Sequence, residues 1–141
     1  MKRADRTGRP TRTVGLLICC LFVGLGGVNS LFAAEVGVTD TTITLGTYQP
    51  ISGPLAPYAV LGRTIEAYFK MVNDRGGIHG RKINLLIRDD GYNPANTRVV
   101  VRELVERDKV FAFVSGLGTP TGLAIMDYLN DHKVPHVSPA S

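Results

Sequence analysis

The stretch with the most chemical capacity is Ser115-Gly116-Leu117-Gly118-Thr119-Pro120-Thr121-Gly122. Its glycines let backbone approach a ligand closely, and Thr119 can offer both a hydroxyl and an amide. If a helix starts here, the amides of Thr121 and Gly122 face outward where the helix dipole favours an anion. Two readings stand side by side: a cradle for a carboxylate or another small oxyanion, and an ordinary capped turn between strand and helix. A dinucleotide site fits poorly. Gly116, Gly118 and Gly122 do not make Gly-x-Gly-x-x-Gly, and no acidic residue closes the following strand to hold a ribose.

The other candidates are weaker. Asp89-Asp90 could hold a divalent cation or exchange protons, but neighbouring residues at a strand end point to opposite faces. A polar turn feeding Gly91 and Asn93 is the better reading. His79 sits in a glycine-flanked turn, and Pro135 breaks any helix that would pair His132 with His136 on one metal. Ser115 lacks the Gly-x-Ser-x-Gly elbow of a nucleophile. No catalytic constellation and no metal site emerge. Tyr58, after Ser52-Gly53-Pro54-Leu55-Ala56-Pro57, could wall an apolar pocket or simply start a helix half-buried.

Positioning elements follow from periodicity. Thr42–Thr47 alternates as a strand, and the loop Pro50–Pro54 follows. Leu61, Ile65, Tyr68, Phe69 and Val72 share one helix face, and Gly76-Gly77 ends that helix. Ile83–Ile87 predicts a second strand. Asn93 and Pro94 are suited to the cap and first turn of a helix buried through Val100, Val101, Leu104 and Val105. Phe111–Val114 is a third strand. Thr119-Pro120 repeats the cap-and-proline device before a helix with Ile125, Met126 and Leu129 inward, and a fourth strand begins at Val134. Alternating strands and helices predict an α/β fold, a doubly wound parallel sheet, with ligands at the carboxyl ends of its strands.

The 141 residues carry +4 and a pI near 9.3, which suggests a phosphate-binding surface until the charge is divided. Lys2, Arg3, Arg6, Arg9 and Arg12 against Asp5 account for all of it, and residues 35–141 hold eleven bases and eleven acids. A nucleic-acid partner is therefore not expected. Residues 1–34 read as a secretory leader: a basic start, an uncharged run from Val14 to Val28, and small residues at Ala33-Ala34. That run is short and glycine-rich for a membrane span. Both cysteines, Cys19 and Cys20, lie within it, so removal of the leader leaves no thiol for a disulfide, a metal or catalysis. The expected location is a bacterial periplasm.

Read in order, Ile51-Ser52-Gly53-Pro54 with Tyr58, Val72-Asn73-Asp74-Arg75-Gly76-Gly77-Ile78-His79-Gly80, Asp89-Asp90-Gly91-Tyr92-Asn93-Pro94, Phe113–Thr121 and Val137–Ala140 carry a resemblance. They resemble the leucine/isoleucine/valine-binding protein family, the type I periplasmic solute-binding proteins of ABC importers. The resemblance implies a two-lobed clam closing on a small ligand, with residues 35–141 as part of the N-terminal lobe. It implies that Leu117, Gly118 and Thr119 contact the ligand, Thr119 holding a carboxylate. It also implies that the Ala140 carbonyl receives an ammonium and that Tyr58 packs on the ligand side chain.

By that resemblance the partners are a small amino acid, carboxylate or amide and the ABC permease subunits in the membrane, with no cofactor and no enzymatic activity. The chain departs from the family pattern at Gly118-Thr119-Pro120-Thr121, where amino-acid binders carry serine-rich runs. The family's remaining ligand contacts lie beyond Ser141. A sensor domain of a receptor or regulator, and a truncated fragment without function, are the alternatives.

Overall fold

The computed structural model describes residues 35–141, so the leader expected over residues 1–34, with Cys19 and Cys20, lies outside the described residues. Four parallel strands form one sheet in the order β2-β1-β3-β4: β1 Thr42–Gln49, β2 Lys82–Asp89, β3 Ala112–Val114 and β4 His136–Val137. A 3₁₀ turn over Ala56–Ala59 leads into α1, Val60–Asp74; α2 is Pro94–Glu106, α3 Thr119–Leu123 and α4 Met126–Asp131. The doubly wound parallel α/β fold is therefore observed. Strand order reverses between β1 and β3, and in folds of this kind ligands sit in the crevice beyond the strand ends at that switch.

Each sheet face has its own apolar cluster. Phe69 and Val72 of α1 pack with Leu45, Ile83 and Ala112 on one face. On the other, Val101 and Leu104 of α2, Ile125 at the cap of α4 and Leu129 within it pack with Tyr48 and Phe113. The alternation of β1 explains this, sending Ile43 and Leu45 one way and Tyr48 the other. Asn93 caps α2 as the sequence implies: its Oδ1 accepts from the Ala95 amide at 2.8 Å, with Pro94 in the first turn.

Four expectations need correction. β1 runs on to Gln49, because Tyr48 and Gln49 pair with Arg88 and Asp89 of β2. Tyr68 is 56% exposed instead of buried. The buried side of α1 is centred on Gly62 and Phe69, and at about 100° per residue Tyr68 stands well away from that centre. Gly62 allows this rotation, since a Cβ there would come within 3.0 Å of Gln49 Cγ.

The third helix is two short pieces. Ile125, at φ −118°, separates them, and its amide bonds back to the Gly122 carbonyl three residues earlier at 3.2 Å. Ile125 and Leu129 face inward as expected, but Met126 is half exposed. Finally, Thr119 is the first residue of α3 and not its cap. That place belongs to Gly118 at φ 105°, which makes no side-chain bond.

Asp89 and Asp90 serve the turn after β2, in agreement with the polar-turn reading. Asp89 Oδ1 accepts from the amides of Ile51, Ser52 and Gly91 at 2.9, 3.1 and 2.9 Å, tying the β1 loop to the β2 loop. Asp90 is buried; it accepts from the Tyr92 amide at 3.0 Å and the Thr97 hydroxyl at 2.8 Å. Partial burial pushes the Asp89 carboxyl up, but the Ser52 hydroxyl and amide, with the Gly91 and Ile51 amides, outweigh it and hold the pKa below its ordinary 3.8.

A lowered carboxylate pKa stabilises the fold above the unfolded value, and that contribution fades as pH falls through the folded value. Asp89→Ala is thus expected to cost about 1–2 kcal/mol at neutral pH, for lost acceptor bonds to three amides. The difference from wild type should shrink below pH 3.8. Urea unfolding at neutral and acid pH checks it; an equal gap at both would remove the charge from the explanation.

Candidate functional site

The turn after β3 holds three of the five residues singled out from sequence, and a fourth, Ala140, lies beside it after β4. Leu117 pairs with Ala140 in a parallel bridge. The Gly118 amide donates to the Ala140 carbonyl at 2.7 Å, and the Ala140 amide donates to the Gly116 carbonyl at 2.9 Å. The β3–β4 ladder therefore continues past both strands and draws Leu117, Gly118, Thr119 and Ala140 together. Tyr58 stands apart, 54% exposed in the 3₁₀ turn on the β1 loop.

Side chains beneath the turn set its shape. Tyr48 is fully buried under Gly116, where an added Cβ would lie 2.2 Å from its Cζ. At Gly118 an added Cβ would lie 2.4 Å from the ring of Tyr92, and φ 105° itself disfavours a side chain. Ser115, just ahead of the turn, is left-handed at φ 51°. Burial first, and then the charge of Asp90, push the Tyr48 phenol up to about 12, while Thr121 works the other way. The phenol stays neutral at physiological pH. Burial alone pushes the His136 imidazole, 5.7 Å from the Tyr48 ring, below its ordinary 6.5.

The sequence assigned the outward amides to Thr121 and Gly122, and this is corrected for Gly122. The Gly122 amide donates to the Gly118 carbonyl at 2.9 Å, and Thr121 is buried with its hydroxyl turned onto the Leu117 and Gly118 carbonyls. With five residues, α3 is also too short for its dipole to dominate. The free groups that also reach the surface are those of Thr119. It is exposed, and among the described residues neither its amide nor its hydroxyl has an intramolecular partner. The Ala140 carbonyl keeps one lone pair beyond the bond from Gly118.

Beside the turn, along β4, lies a groove of about 420 Å³, lined by Gly118, Thr119 and Ala140 with Met126, Leu129 and Pro135. Among the described residues no cluster of three metal-ligating side chains occurs. Sequence reasoning missed Tyr48, Gln49 and Tyr92. Continuing the alternation of Ile43 and Leu45 by four residues would have found the first two. Nothing local marks Tyr92, whose φ of 58° depends on the turn it closes.

A profile of the family described as periplasmic binding protein matches residues 42–141. The chain belongs to that family. The Leu/Ile/Val-binding protein homolog 3 of Brucella melitensis is 31% identical over 116 residues, covering 78% of this chain and 31% of the relative.

Among solved structures, a fatty acid ABC transporter substrate-binding protein from Thermomonospora curvata matches with a TM-score of 0.64 and 32% identity, over 72% of this chain and 26% of that one. The branched-chain amino acid transporter substrate-binding protein of Streptococcus pneumoniae, in complex with isoleucine, matches with a TM-score of 0.66 and 25% identity, over 72% of this chain and 30% of that one. This periplasmic binding protein chain is of type I and spans about a third of the length of such relatives. They are substrate-binding proteins and not enzymes, and the family implies a periplasmic or extracytoplasmic location.

Proposed function

We propose that residues 35–141 form part of the N-terminal lobe of the substrate-binding component of an ABC importer, with residues 1–34 as the leader that exports it. The ligand is a branched-chain amino acid or another small carboxylate or amide. One observation carries the reading: Thr119 presents a hydroxyl and an amide without internal partners, on the turn that flanks the switch in strand order.

Thr119 donates from both groups to the ligand carboxylate. Leu117 and Gly118 form the backbone wall beside it, and the spare lone pair of the Ala140 carbonyl receives an ammonium where the ligand has one. Tyr58 meets the ligand from the β1 side of the crevice. Closure of a second lobe then converts occupancy into a shape that membrane permease subunits recognise, by selecting the closed form of the binding protein.

Relatives named for Leu/Ile/Val and for fatty acids support a carboxylate as the shared feature. Calorimetric titration of the purified chain with isoleucine and with octanoate tests it, with octanol as the neutral control. At least one carboxylate is expected to saturate with a Kd of about 1 mM or tighter, near −4 kcal/mol. Heat from neither carboxylate, or equal heat from octanol, would overturn the reading.

A further inference from the structure

Gln49 ends β1 at the switch in strand order and is a fully buried polar residue. Both hydrogens of its amide are engaged. Nε2 donates to the Ser115 carbonyl at 2.7 Å and to the Thr47 hydroxyl at 2.9 Å. Its Oε1 has no hydrogen-bond partner among the described residues. Reversing the amide would set its oxygen against the Ser115 carbonyl, which can only accept, so Ser115 fixes the observed orientation, whereas the Thr47 hydroxyl could pair with either end.

A buried amide with an orphaned oxygen is a cost, and the structure around it is shaped to accommodate it. Gly62 of α1 leaves room for its methylenes. What it holds is the carbonyl of Ser115, a non-glycine residue in the left-handed region at φ 51°, a conformation that costs roughly 1 kcal/mol.

We propose that Gln49 is the positioning residue of the Ser115–Thr119 turn. The turn is anchored on both flanks. From the β1 side Gln49 grips Ser115, and from the β4 side Ala140 exchanges bonds with Gly116 and Gly118. Just past the anchored residues, Thr119 is exposed with its hydroxyl and amide unpartnered among the described residues. Gln49 touches no ligand; it acts through Ser115. Its consequence for affinity rests on the carboxylate reading of Thr119, whereas its consequence for the turn does not.

Hydrogen exchange on the full chain separates the two. Gln49→Met keeps the length of the side chain and removes the donor. The amides of Gly118 and Ala140 report on the turn, and those of Thr97 and Leu129, bonded to Asn93 and Ile125, report on the body of the fold. Loss of one such bond is expected to speed exchange at the turn about tenfold while the body amides hold their rates.

If Gln49→Met does not fold, Gln49→Asn is read by the same ratio, since it keeps an amide and loses one methylene of reach. Turn amides at wild-type rates, or turn and body accelerating together, would overturn the proposal. Isoleucine and octanoate are then titrated into the same variant. Where wild type binds, affinity is expected to fall about tenfold with the turn, and unchanged affinity would confine Gln49 to local packing. Where wild type binds neither probe, the carboxylate reading fails, and the exchange ratio still decides the role of Gln49.

Discussion

Gly116→Ala is expected to destabilise the fold by about 3 kcal/mol, among the largest effects open to a one-carbon change. The added methyl would stand 2.2 Å from Tyr48 Cζ, 2.3 Å from Cε1 and 2.6 Å from the hydroxyl oxygen. The ring has nowhere to go. It is fully buried in the cluster with Phe113, Leu104 and Ile125, and its backbone is paired with Arg88 in β2. Gly116 itself has no positive φ, so the penalty is overlap of atoms and not backbone strain.

That distinction gives the check. Tyr48→Leu removes the ring edge that the methyl would strike, so the double variant should lose much less than the sum of the two single losses. Denaturant midpoints of the four proteins measure the coupling. Strict additivity would show that the turn relaxes away from the ring, and an unchanged midpoint in Gly116→Ala alone would show the same.

Thr119→Val is expected to leave the unfolding midpoint where it is and to weaken carboxylate binding about a hundredfold, or about 2.7 kcal/mol. The side chain is exposed and bonds to nothing within the described residues, so the fold does not depend on its oxygen. Valine keeps the shape and branching of threonine and deletes only the hydroxyl. The amide survives, and for that reason the loss is large but not total. Thr119→Ser, which keeps the donor, should bind within a few-fold of wild type. Titration of the three proteins with the carboxylate that binds wild type decides it. Equal affinity in the valine variant would move the anion contact elsewhere on the turn.

Much of the architecture was legible because periodicity and punctuation agree in this sequence. Asn93-Pro94 marks a helix start whatever surrounds it, and Asp89-Asp90-Gly91 marks a strand end. The boundaries that escaped depend on partners distant in the chain. β1 outlasts its apolar run because β2 offers it two more rungs at Arg88 and Asp89, and α1 is rolled about Gly62 because Gln49 lies beneath it.

The turn was recognisable from its glycines and Thr119, but the division of labour between its threonines was not. Thr119 and Thr121 are the same residue two positions apart. Only the fold shows that Thr121 is buried and committed to the Leu117 and Gly118 carbonyls, leaving Thr119 free. Likewise the proline after Thr119 suggested a cap at Thr119, whereas the helix begins at Thr119 and its cap is the residue before, a glycine whose φ no threonine would adopt without strain.

The pairing of the strands has a mechanical side. Eight residues of β1 are matched by eight of β2, whereas two residues join β1 to β3 and two join β3 to β4. Treated as an elastic plate, the sheet is stiff on one side of the crevice and compliant on the other. Asp89 adds a brace to the stiff side by stitching the loop after β1 to the turn after β2. A load drawn along the crevice would strain the β3–β4 flank first, with Gly116, Gly118 and Ala140 travelling together while the β1 loop stays in register. The wall that carries Thr119 is thus the one that gives, and the wall that carries Tyr58 is the braced one.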